Sequence, residues 1–158
     1  MFRATPRARV AYLAQHGLFD QIPSLASDFS VPAVLHAAAV GSTNAWIGTA
    51  GTVTRAHFDS YDNLLCQVVG YKFVRLFAPA DGDFLYAIGK KDGGSGTTAQ
   101  GNVSAVDVEA PDHEAFPLYA RATPFDAVLG PGDALLVPRG WWHYVRSLTV
   151  SISVNMWS

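Results

Sequence analysis

An all-β fold, a sandwich or a barrel, is what this sequence predicts. Short runs rich in β-branched and aromatic residues recur along the chain, Gly and Pro turns separate them, and little of it reads as convincing helix. With 158 residues, 49% hydrophobic and only 15% charged, the chain can build a sizeable core and is too apolar for disorder. So few charges also imply that more than one sheet face is buried. No internal repeat and no linker divides residues 1–158, so one domain is expected.

Residues 1–9 read as a loose arm. Val10 to Phe19, short and interrupted by Gly17, fits a strand or a helical turn. Asp20 to Val40 carries Pro23 and Pro32 and reads as loop with a helical turn at most. Asn44 to Gly48 and Val53 to Phe58 read as strands around a turn at Gly51. Asn63 to Val69 and Lys72 to Phe77, separated by Gly70 and Tyr71, carry the signature of a β-hairpin. Pro79 to Asp83 is turn material, and Gly89 to Gly101 is a glycine-rich polar stretch expected to form a mobile surface loop. Neither phosphate-binding glycine fingerprint is present in it. Val103 to Val108 reads as a strand and Asp112 to Tyr119 as a helical turn broken at Pro117. Phe125 to Leu129 and Ala134 to Val137 are short strands around the Pro131-Gly132-Asp133 turn. Trp141 to Leu148 and Thr149 to Trp157 close the chain. In the last of these, Ser151, Ser153, Asn155 and Trp157 share one face, suited to lining a cavity or facing water.

The net charge of −2 and the absence of any Lys/Arg cluster argue against nucleic-acid binding through phosphates. The single cysteine, Cys66, excludes an intramolecular disulfide and a cysteine-based zinc ribbon, and reads as a small strand residue. No apolar run approaches the roughly 18 residues of a membrane span. The opening MFRATPRARV is too polar for the apolar region of a secretory signal. These features lead to the expectation of an intracellular protein, nuclear or cytoplasmic, with no membrane partner.

Chemistry concentrates between Trp46 and Phe77. His57 and Asp59 form a His-x-Asp pair whose side chains point to one face of an extended segment. Of the five histidines, only His57 and His143, the latter in WWHYVR, sit in strand-like aromatic surroundings. His16 reads as structural, and His36 and His113 as surface or locally bonded residues. Two imidazoles and one carboxylate can occupy one face of an octahedron and leave three positions open, the donor set of non-haem Fe(II) oxygenases. Zinc competes for such donors, but no general-base motif accompanies them. Lys72 shares its parity with Val74 and Leu76 and so faces an apolar interior, where an unpaired ammonium is costly. Either its end snorkels to water or an anion meets it. The remote carboxylate of 2-oxoglutarate is such an anion, and its chelating end would fill two metal positions, leaving one for dioxygen.

These residues lie in flanks that resemble the JmjC oxygenase family: YLAQHGLFDQIP from Tyr12, NAWIGTAGTVTRAHFDSYDNLLCQVVGYKFVRLF from Asn44, VDVEAPD, LGPGDALLVPRGWWHYVRSL and SISVNMWS. The resemblance implies a double-stranded β-helix, a cupin-like jelly-roll with few short helices. It implies His57, Asp59 and His143 as Fe(II) ligands and Lys72 as partner of 2-oxoglutarate, with hydroxyls from Tyr12 and Thr54 and a further polar contact from Asn63. Trp46 and Trp157 correspond to the family's aromatic residues near the site. The expected substrate is a protein or peptide, hydroxylated on arginine or demethylated on N-methyl-lysine. A catalytically silent jelly-roll that binds a partner, and a zinc or manganese enzyme independent of 2-oxoglutarate, are the competing readings. Family members carry strands and helices ahead of the YLAQH segment that this sequence does not, and the glycine-rich stretch departs from the family's pattern.

Overall fold

Strands that alternate between two sheets build this molecule. The computed structural model describes residues 10–33, 35, 40–88 and 101–158. The expected loose arm (1–9), His36 and all of the Gly89 to Gly101 stretch except Gly101 fall outside them.

Nine strands are described: β1 (Tyr12–His16), β2 (Ser42–Gly48), β3 (Val53–His57), β4 (Asn63–Val69), β5 (Lys72–Phe77), β6 (Phe125–Leu129), β7 (Ala134–Val137), β8 (Trp142–Ser147) and β9 (Ser151–Trp157). One sheet has the order β1-β2-β9-β4-β7 and the other β3-β8-β5-β6, with every pairing antiparallel. Consecutive strands from β2 to β5 therefore alternate sheets, as do β6 to β9. That is the two-sheet jelly-roll. Among the described residues helix is limited to α1 (Leu18–Gln21) and 3-10 turns at Pro23–Asp28, Pro79–Leu85 and Pro117–Arg121.

Two expectations are corrected. β4 and β5 are not a hairpin: β4 pairs with β9 and β7, and β5 with β8 and β6. The turn at Gly70 carries the chain from one sheet to the other, with φ at +71°, a value glycine adopts without strain. A Cβ at this position would collide with the Val150 carbonyl oxygen. Local composition could not distinguish a turn within a sheet from a corner between sheets, because both demand the same residues. Val103 to Val108 is not a strand either. Only isolated bridges, His57 to Val103 and Ala87 to Ser104, form there, while Val106 and Val108 turn into a core.

That core lies outside the barrel, on the outer face of the β3-β8-β5-β6 sheet. Ala56, Phe77, Trp142 and Tyr144 pack there against Leu85, Val106, Val108 and Tyr119 from the long β5–β6 connection. Inside the barrel a smaller cluster of Leu65, Val74 and Leu129 is joined by Leu76, Leu135 and Val145. The rest of the interior is polar. Ser151, Ser153 and Asn155 are 0–1% exposed, which settles this face of β9 as interior and not solvent-facing. Their hydrogen bonds are satisfied internally: Ser153 donates to Gln67 Oε1 at 2.6 Å, and Ser147 lies 2.8 Å from Thr52 and 2.9 Å from Ser151.

Candidate active site

The polar interior ends in a pocket at one mouth of the barrel. It encloses about 400 Å3, its open mouth included, and is walled by Tyr12, Trp46, Thr54, His57, Asp59, Lys72, His143 and Trp157, with Gln15, Leu65 and Val145.

A bulge aims His57 into it. Thr54 pairs with Val145 and His57 with His143, so three steps along β3 match two along β8. The extra residue lets Thr54 and His57 face the same pocket although their odd spacing would put them on opposite faces of a regular strand. His143 lies opposite His57, with ring centroids 4.2 Å apart. Asp59 follows the end of β3 and places Oδ1 3.8 Å from His57 Nε2 and Oδ2 3.6 Å from His143 Nε2. One donor atom from each residue lies within 4.8 Å of the others.

The ring orientations suit metal binding. His57 Nδ1 is 2.8 Å from the Arg55 carbonyl and His143 Nδ1 is 3.2 Å from the Trp141 carbonyl. A carbonyl can only accept, so each Nδ1 carries a proton, and in a neutral ring Nε2 is then the nitrogen with the lone pair. Burial, reinforced by the neighbouring His57, pushes the His143 imidazole down to about 3. It is therefore neutral across the ordinary pH range. Burial also raises the Asp59 carboxyl, partly offset by His57, the signature of a carboxylate awaiting a compensating cation.

Lys72 closes the deeper wall. It is 2% exposed, and burial lowers its ammonium to about 8. Among the described residues no carboxylate pairs with it. On the same pocket wall the Tyr12 hydroxyl lies 2.9 Å from Thr54 Oγ1; burial raises the phenol, and Thr54 partly counters this. Trp46 donates its indole N–H to Asn155 Oδ1 at 2.8 Å, and Asn155 Nδ2 donates to Asn63 Oδ1 at 2.8 Å. Asn63 thus stands behind the pocket wall, two hydrogen bonds from Trp46 by way of Asn155, and is the one expected site residue that does not line the pocket. Trp157 lines it and stacks on Tyr61 at 5.7 Å.

Gln15 escaped the sequence reading, and Asn155 was placed on an interior-suited face of its strand without a role at the site. Gln15 reaches the pocket because β1 is irregular between Leu13 and His16, with Gln15 at φ +47°; nothing in YLAQH signals this. Asn155 was legible in principle, since it shares the parity of Trp157.

Fold and donors together define a jelly-roll with a two-histidine, one-carboxylate centre. The chain belongs to the cupin-like family of JmjC domains: the family model described as a cupin-like domain matches residues 2–157. Curated relatives include JmjC domain-containing protein F of Dictyostelium discoideum, 44% identical over 98% of this chain and 36% of that protein. Lysine-specific demethylase 8 of Xenopus tropicalis is 40% identical over 94% of the chain and 33% of its own length. Jumonji C domain-containing protein 5 of Drosophila melanogaster is 42% identical over 94% and 36%. The chain thus spans about a third of the length of these relatives. Fe(II) and 2-oxoglutarate are the metal and cosubstrate of this family. The residues present suit both groups: three donors converge with two free Nε2 lone pairs, and a buried ammonium faces the same pocket without an anion. Among the described residues no helix is long and apolar enough to cross a membrane.

Proposed function

We propose that this chain is the catalytic domain of an Fe(II)- and 2-oxoglutarate-dependent oxygenase that hydroxylates a side chain of a protein or peptide, with arginine the favoured target. The observation that carries the reading is Lys72. An ammonium buried without a carboxylate, on the same pocket wall as two free imidazole nitrogens and a desolvated carboxylate, is costly unless an anionic ligand enters. A competing jelly-roll that only binds partners has no use for that cost.

His57, Asp59 and His143 would hold the metal, a donor set that leaves positions for the cosubstrate and dioxygen. Lys72 receives the remote carboxylate of 2-oxoglutarate, and the Tyr12–Thr54 hydroxyl pair supplies further donors. Bound iron with 2-oxoglutarate supplies the oxidising power to insert one oxygen atom into a C–H bond, with succinate and carbon dioxide as coproducts. Trp46 and Trp157 form the apolar walls that limit water and orient the target side chain. Asn63 acts through Asn155 and reaches the cosubstrate only if that pair reorganises. Arginine is favoured because demethylation requires a methylammonium pocket, for which the sequence carries no motif.

The test begins with anaerobic addition of Fe(II) and 2-oxoglutarate, which should develop a visible charge-transfer band that His57→Ala abolishes. Aerobic turnover follows, against arginine- and methyl-lysine-bearing peptides. A persistent gain of one oxygen supports hydroxylation, and loss of a methylene supports the demethylase alternative. No band and no 2-oxoglutarate-dependent turnover sinks the oxygenase reading.

A further inference from the structure

Strand pairing fixes only part of the metal centre. β3 ends at His57, which faces His143 across the ladder. Asp59 lies beyond that last pair, so no ladder holds the carboxylate that completes the donor set. The His143 ring is oriented by the Trp141 carbonyl, 3.2 Å from Nδ1, and Trp141 closes the turn that leads into β8. In that turn Trp141 donates its N–H to the Pro138 carbonyl at 3.1 Å, and Gly140 takes φ at +78°. The geometry of the donors therefore depends on two segments outside the strands, the loop of residues 59–62 and the turn of residues 138–141.

Two hydrogen bonds join these segments. Gly140 donates its N–H to the Asp59 carbonyl at 2.9 Å, so the backbone that carries the carboxylate rests on the turn. Asp62, three residues on, supplies the other link: its Oδ1 accepts the Arg139 N–H at 2.8 Å. The Arg139 guanidinium adds a looser contact, 3.7 Å from Asp62 Oδ2, with 70% of the arginine side chain exposed. The backbone of Asp62 is anchored separately, exchanging N–H to O bonds with Ser158 at 3.1 and 3.0 Å. That anchor lies next to Asn63, where β4 starts against Trp157 of β9. Asp62 thus stands at the end of one sheet and holds the turn that feeds a strand of the other.

We propose that Asp62 is a positioning residue of the metal centre. By holding the Arg139–Gly140 turn against the loop that carries Asp59, it sets the spacing between the Asp59 carboxylate and the His143 imidazole, 3.6 Å from Oδ2 to Nε2. A carboxylate that accepts a backbone N–H makes one of the stronger protein hydrogen bonds, and groups standing behind metal donors fix the orientation on which affinity depends. The placement also separates this role from general stability. Removing the Asp62 side chain leaves both Ser158 bonds, the Gly140 to Asp59 bond and every strand pair intact, so only the link to the turn is cut. The assignment rests on the reading of His57, Asp59 and His143 as a metal-holding set.

The test is a titration of the full chain with Co(II), followed by its visible absorption. Asp62→Ala should weaken Co(II) binding about tenfold and shift the absorption bands, because the donors lose their native spacing. Asp62→Asn keeps an oxygen acceptor for the Arg139 N–H and gives up only the exposed charge contact, so affinity and bands should return to those of the wild type. Asp81→Ala is the control. Asp81 Oδ2 accepts the Thr123 N–H at 3.1 Å, the same kind of bond made within the β5–β6 connection, and its loss should leave Co(II) binding unchanged. Wild-type affinity and bands in Asp62→Ala, losses as large in Asp81→Ala, or losses as large in Asp62→Asn each overturn the positioning role while the metal reading stands. A wild type that binds no Co(II) removes the metal reading itself, and the role with it.

Discussion

The two faces of β8 do opposite work. Trp142 and Tyr144 look outward into an apolar layer with Phe77, Leu85 and Val108, while His143 looks inward to His57 and Asp59. The outer layer spends hydrophobic burial on stability. The inner face holds a desolvated carboxylate, a neutral imidazole and an unpaired ammonium, each unfavourable in an empty barrel. A strand's alternation allows both on one segment, so stability and chemistry should separate one residue at a time.

Neighbouring substitutions give the sharpest separation. Trp142→Ala empties a side chain only 3% exposed and should cost about 3–5 kcal/mol of stability, read by denaturant unfolding. His143→Ala, next to it, should leave stability near wild type while Fe(II) loading and turnover are lost. Asp59→Ala should follow His143→Ala, because burial already disfavours its charged form. Equal losses of stability from Trp142→Ala and His143→Ala would mean that the inner face is structural core.

Lys72 sharpens the comparison from within the barrel. Lys72→Met keeps the length of the side chain and removes a buried charge, so the cosubstrate-free protein should gain stability, roughly 1–3 kcal/mol. Affinity for 2-oxoglutarate should fall about 10- to 100-fold through loss of a charge-assisted contact. The pH dependence carries the same opposition. With the lysine lowered from 10.5 to about 8, the folded protein holds fewer protons than the unfolded chain between those values. Stability of the cosubstrate-free protein therefore rises with pH through that window. Affinity for 2-oxoglutarate falls over the same range, beginning above about 8 because a bound carboxylate favours the charged amine. Calorimetric titrations and unfolding curves from pH 7 to 10 measure the two slopes, and parallel slopes would remove Lys72 from the anion site.

Legibility in the sequence divides along the same line. Turn residues bounded β6 and β7 to the residue, and period-two alternation placed Lys72 with Val74 and Leu76 and grouped Ser151, Ser153, Asn155 and Trp157. His-x-Asp and a distant aromatic-flanked histidine, together with Lys72 and the family resemblance of their flanks, picked out three residues that the structure brings together. What stayed hidden depends on non-local pairing. The bulge that lets Thr54 and His57 share a wall exists only relative to β8, and the corner at Gly70 only relative to two sheets. The hydrogen-bonded row of Trp46, Asn155 and Asn63 joins three strands, so no local pattern announces that Asn63 stands behind the wall.

The smallest effect is expected where the outer layer meets solvent. Glu109 accepts the Tyr144 hydroxyl and a two-pronged contact from Arg146, Nε at 2.6 Å and Nη2 at 2.9 Å. Arg146 holds its carboxyl below the usual range, so the stability it contributes is present near neutrality and lost as pH falls through that lowered value. Both partners are partly exposed and solvent screens the pair, so Glu109→Gln should cost about 1 kcal/mol or less. Tyr144 and Arg146 lie on the face of β8 away from His57 and Asp59, and the absorption spectrum of the Co(II)-loaded protein should be unchanged. A shifted spectrum in Glu109→Gln would show that the outer clamp sets the position of His143, and that the two faces of β8 are mechanically coupled.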